Sequence, residues 1–116
     1  LTPSYQKQWP TFIKNGTTKS SIKAFADADS SGELQDAFSS IKNLEASNPN
    51  DYAVIFNIGS AHLMLGHYNE AKTYFEKAAK IENTPEVVEE IKLCTQREED
   101  SFELEKYNIN LSSDSL

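Results

Sequence analysis

The chain has 116 residues, enough for one domain with a modest core. Hydrophobic residues make up 38% and charged residues 25%, the balance of a soluble globular protein rather than of a disordered or membrane-embedded chain. The formal charge is -7, from 18 acids against 11 bases, which argues against a general binder of nucleic acid or of an anionic membrane.

In chain order, residues 1–17 read as an N-terminal segment in which a short helix could begin at Pro10. "NGTTKSS" reads as a turn, with Ser20 or Ser21 as the expected cap of the next helix. Ile22, Phe25 and Ala26 share a helical face, which "DADSSG" breaks near Gly32. Leu34, Ala37, Phe38, Ile41 and Leu44 then repeat at three and four, an amphipathic helix stopped by "ASNPND".

Tyr52 to Leu65 is apolar on most sides, so helices should cover it from more than one direction. Gly66 and His67 form a turn. Tyr68 to Ile81 follows, with Ala71, Tyr74, Phe75, Ala78 and Ala79 as its packing face. "ENTP" ends it. From Glu86 a polar helix carries Val87, Val88, Ile91 and Cys94 on a narrow apolar side and continues toward Tyr107, with residues 108–116 expected as a flexible tail. No alternation long enough for a sheet is present. The expected fold class is all-α, built of antiparallel helix pairs.

Small residues recur at regular places. Gly59 and Ala61 lie on one predicted helix, Ala71 and Ala78 on the next. They would let two helix axes approach closely while Ile58, Leu65, Tyr68 and Phe75 fill the spaces between. A helical glycine costs roughly 1 kcal/mol relative to alanine, so Gly59 should be offset by close packing. A shift of about 34 residues sets Gly32 against Gly66, Ala37 against Ala71 and Ile41 against Phe75. One strong unit and one degraded unit follow from this, with a third opening near Pro85.

Asn57, Ile58, Gly59, Ala61, Leu65, Gly66, Tyr68, Ala71, Phe75, Ala78 and Pro85 resemble one tetratricopeptide repeat. The resemblance is specific over residues 52–85, weaker but in register over 18–51, and limited to a first helix after residue 86. His62 stands where an aromatic residue is more usual, and Ile55 where tryptophan is common. The resemblance implies a right-handed superhelix of helix pairs over residues 18–107, capped by the helix from residue 86. Repeats of this kind stack to bury a core that no single pair could bury.

The same resemblance implies a protein- or peptide-binding scaffold, with the first helix of each pair lining a concave groove. Phe56, Asn57, Ser60, Leu63 and Met64 would line it, with Ala53 beside them and with Val87, Glu90 and Ile91 from the last helix. The weaker unit would add Ile22, Lys23 and Ala26. Some relatives grip the carboxylate of a chaperone tail with basic residues and asparagines. Here only Asn57 stands at such a position, and Ile22, Ala26, Val87 and Ile91 replace the rest, which argues against that ligand. The alternatives are a groove or end filled by the chain itself or by a second copy, and a fragment of a larger repeat array.

Nothing in the sequence points to catalysis or a cofactor. His62 and His67 are five apart across a turn, so they are not expected to share a face as a metal pair would. "DADSSGELQDAF" has early calcium-ligand positions at Asp27, Asp29 and Ser31 but ends on Phe38, where a bidentate acid is needed. Cys94 has no partner for an internal disulfide and reads as a small buried residue. Residues 1–26 carry Lys7, Lys14, Lys19 and Lys23 and no acid, whereas Glu86 to Glu105 carries eight acids against Lys92 and Arg97. The acidic helix could be a solvated face, or could meet a basic partner or the chain's own basic start. The compartment stays open, with a lean to the cytoplasm and room for an exported or anchored parent chain.

Overall fold

The structure is a computed structural model that describes residues 11–114, with side chains described over residues 11–99. Its described residues form five helices: α1 Lys19–Asp27, α2 Ser31–Ser47, α3 Tyr52–Met64, α4 Tyr68–Ile81 and α5 Pro85–Asp114. Each packs antiparallel on its neighbour in the chain. The architecture is all-α and resembles a stack of helical repeats.

The helix boundaries have local causes. Ser30 caps α2 by accepting from the Glu33 backbone N–H at 3.1 Å, and the Glu33 carboxylate reaches back to the Asp29 N–H at 2.6 Å. Asp51 caps α3 by accepting from the Ala53 and Val54 N–H groups. Thr84 accepts from Val87 N–H at 3.1 Å, with Pro85 at the first helical position. Gly66, at φ 79°, ends the loop after α3: its N–H donates to Leu63 C=O at 3.0 Å and the His67 N–H to His62 C=O at 2.9 Å. That paired closure needs a left-handed residue, which glycine adopts without a Cβ clash.

Three features differ from expectation. Thr11 to Asn15 form no helix, and Pro10 lies outside the described residues. The cap position of α1 is Thr18, not Ser20 or Ser21, and its side chain makes no cap bond. Thr18 is occupied elsewhere: its Oγ1 accepts from Asn15 N–H and donates to Ile13 C=O. At the other end, α5 runs past Tyr107 to Asp114.

α3 is the central helix, with every residue from Ala53 to Leu63 buried. It feeds two cores. Ile55, Phe56 and Leu63 join Ala71, Phe75, Ala78, Val87 and Cys94 from α4 and α5. Val54, Ile58 and Ala61 join Phe25, Ala37 and Ile41 from α1 and α2. Each large side chain so buried contributes about 1.5–3 kcal/mol. The Phe75 ring lies so close to Gly59 that a Cβ there would sit 2.8 Å from Phe75 Cε1.

A polar brace joins α2 to α4. The Glu45 carboxylate accepts from Lys42 at 2.9 Å, Lys77 at 2.8 Å and the Tyr74 hydroxyl at 2.9 Å. Burial alone would raise the Glu45 pKa, but the hydrogen bonds from Lys77, Lys42 and Tyr74 outweigh it and hold the carboxyl at about 2.

Candidate functional site

α3 buries three polar side chains in an otherwise apolar helix: Asn57, Ser60 and His62. A buried polar group needs a partner, and each of these has one. Asn57 and Ser60 face residues 11–13, which cross α3 on the side expected to form the groove. Asn57 Oδ1 accepts from the Ile13 N–H at 2.7 Å, and its Nδ2 donates to the Ile13 C=O at 2.8 Å. One side-chain amide thus matches both polar atoms of one residue's backbone. One helical turn on, the Ser60 hydroxyl donates to the Thr11 C=O.

The side chains of the segment complete the seat. Phe12 stacks on Phe25 of α1, ring centroids 5.2 Å apart. Ile13 packs against the core shared by α3, α4 and α5. The Ile13 C=O also takes a hydrogen bond from Thr18 Oγ1 at 2.7 Å, so two donors satisfy it. At the α5 side, Thr11, Pro85, Glu86, Glu89 and Glu90 line a cavity of about 320 Å³. Burial pushes the Glu90 carboxyl above its usual pKa, although Thr11 and Arg97 pull it down.

The expected groove residues separate into two sets. Asn57, Ser60 and Glu90 converge on residues 11–13. Phe56, expected on the groove, is instead fully buried, with its ring 5.0 Å from Phe75 and 5.7 Å from Tyr52. Leu63 and Val87 are core residues in the same cluster, with Ile91 half-buried against them. Met64 packs against the other core, and Ala53 is buried. Ile22 is half-buried, Ala26 is exposed, and the exposed Lys23 pairs with Asp27 at 2.6 Å. The helical period places residues on faces. It does not say which face meets a neighbour and which meets a ligand.

The histidines also need a correction. Their Nδ1 atoms lie 3.3 Å apart, because the Gly66 turn folds His67 back beside the last turn of α3. His62 sits at 4.7 Å edge-on to Phe38 and stacks at 5.6 Å on Tyr74, so it takes the packing place of an aromatic residue. Burial, then the His67 charge, lowers its pKa below the usual 6.5. Among the described residues, no group of three or more His, Cys, Asp or Glu side chains could hold a metal. Cys94 is a buried free thiol whose pKa burial pushes up to about 12, far from a nucleophile's range. No helix among the described residues is long and apolar enough to cross a membrane.

Residues 52–85 match the tetratricopeptide repeat family model. The match takes in α3, the Gly66 turn, α4 and the loop to α5. No curated protein and no solved structure matches the chain. The molecule is a helical repeat-like module.

Proposed function

We propose that this chain is a protein-interaction module that grips a peptide segment by its main chain in the groove beside α3, and that residues 11–13 fill that place until a partner segment takes it. The observation that carries the reading is the pair of hydrogen bonds between the Asn57 amide and the Ile13 backbone. Main-chain recognition tolerates many sequences, which suits a scaffold. The polar positions Asn57 and Ser60 meet that main chain from within an otherwise apolar helix. The match of residues 52–85 to a repeat family whose members mostly bind proteins or peptides favours the same reading.

A second reading has its own support. Phe12, Ile13 and Thr18 add three further contacts to the seat, so the segment could be a permanent part of the fold. One experiment separates the two. A synthetic heptapeptide of residues 9–15 is titrated into the full chain and into its Phe12→Ala variant, and amide shifts at Asn57 and Ser60 are followed by NMR. Displacement predicts saturable shifts, at lower peptide concentration in the variant. Unmoved amides in both chains would leave the groove a closed structural feature.

A further inference from the structure

The groove holds one group that its present occupant leaves unsatisfied. Glu90 is 9% exposed, and among the described residues no donor meets its Oε1. A buried carboxylate oxygen without a donor is costly, and native structures rarely keep one without a reason. Oε1 belongs to a side chain that lines the cavity beside Thr11, where Glu86 and Glu89 add two more carboxylates. The Thr11 hydroxyl and the Arg97 charge both favour the ionised carboxyl, yet Oε1 itself is left without a donor, and the side chain of Thr11 cannot supply a cation.

We propose that the groove prefers a partner segment with lysine or arginine at the place Thr11 now holds, its cation paired with Glu90, followed by an aromatic residue stacked on Phe25. This rests on the groove reading above and adds the ligand's chemistry to it. The three parts have separate sources. Asn57 and Ser60 grip the main chain and set the register. Phe25 accepts the ring that Phe12 now supplies. Glu90 supplies a buried acceptor inside a cavity of about 320 Å³ lined by acids, which gives a long cationic stem room to enter. A charge-assisted hydrogen bond there satisfies an atom that Thr11 leaves bare. Residues 11–13 are then a deliberately imperfect occupant, because they fill two of the three positions.

The test uses fluorescein-labelled heptapeptides of residues 9–15, in the natural sequence and with Thr11→Lys or Thr11→Glu. Each is titrated by anisotropy into the full chain carrying Phe12→Ala, with and without Glu90→Gln. The lysine peptide should bind about tenfold tighter than the natural one and the glutamate peptide weaker. Glu90→Gln should remove the lysine preference, bringing the lysine and natural peptides to within about twofold of each other. Equal affinities, or a lysine preference that survives Glu90→Gln, overturn the inference and leave the groove reading standing. No binding by any peptide overturns both. Should Phe12→Ala fail to fold by circular dichroism, the comparison is made within the chain. Thr11→Lys should then raise the melting temperature, and Glu90→Gln should abolish the gain. A Thr11→Lys chain that melts no higher, or equally higher in both backgrounds, overturns the inference.

Discussion

The ring of Phe75 rests on the backbone of Gly59, at a separation that leaves no room for one more carbon. Phe75 cannot easily yield, because it is fully buried and held edge-on by Phe56. Gly59→Ala would improve helix propensity by about 1 kcal/mol. It would also force the ring or the helix aside, a cost of about 1–3 kcal/mol. We expect a net loss of stability in urea denaturation. In a Phe75→Leu background the same substitution should be milder, since the two sites are in contact. Additive effects would show that the close approach does not govern the pairing of α3 with α4.

Asn57→Ala should release residues 11–13. It would leave the Ile13 N–H without its partner and remove one of two donors to the Ile13 C=O. The expected loss is about 1–3 kcal/mol, with faster hydrogen exchange at Ile13. Asn57→Asp keeps the acceptor but sets an anionic oxygen against the Ile13 C=O. It should therefore be at least as damaging, and unchanged exchange in both variants would rule out the clamp.

Acid should loosen the α2–α4 brace. The folded Glu45 carboxyl titrates at about 2 rather than 4.5. Its contribution is thus complete above pH 4.5 and is lost as pH falls from 4.5 to 2. With the lysine partners 42% and 46% exposed, solvent screening leaves about 1–2 kcal/mol. Glu45→Gln should flatten the acid limb of the stability curve by that amount.

His62 titrates below 6.5 in the folded chain, so it favours the fold when neutral. Stability from this group is complete above pH 6.5 and declines as pH falls below it, because the unfolded chain takes up the proton first. His67→Gln removes one of the charges that lower the His62 pKa. The His62 ring-proton shift in NMR should then titrate at higher pH. A midpoint that does not rise would leave burial and the Lys42 charge as the causes.

Helix positions are legible in the sequence because their breaks are chemical. Gly66, Pro49 and the "ENTP" stop mark ends that the structure keeps, and Tyr68–Ile81 is found at its expected bounds. The close packing at Gly59 is legible too, since a glycine that weakens an apolar helix is worth keeping where a neighbour must come close. The inward groove positions are harder. α3 is covered on every side, so Phe56, Asn57 and Leu63 all qualify as interior or as groove by period alone. What distinguishes Asn57 and Ser60 is polarity within an apolar run, a signal that says a hydrogen-bond partner is near but not where it comes from. Residues 11–13 carry no periodicity. Their place depends on contacts made 44 and 49 residues away.

The Asn57 amide and the Ser60 hydroxyl sit in a slot with essentially no solvent access while Ile13 and Thr11 are seated. If the seated strand simply departed, both groups would have to be hydrated in a narrow apolar cleft before anything replaced it. A relay avoids that intermediate: an incoming chain pairs with one of them as the outgoing chain lets go of the other. Exchange at this groove should therefore quicken with competitor concentration, instead of levelling off at the rate of spontaneous departure.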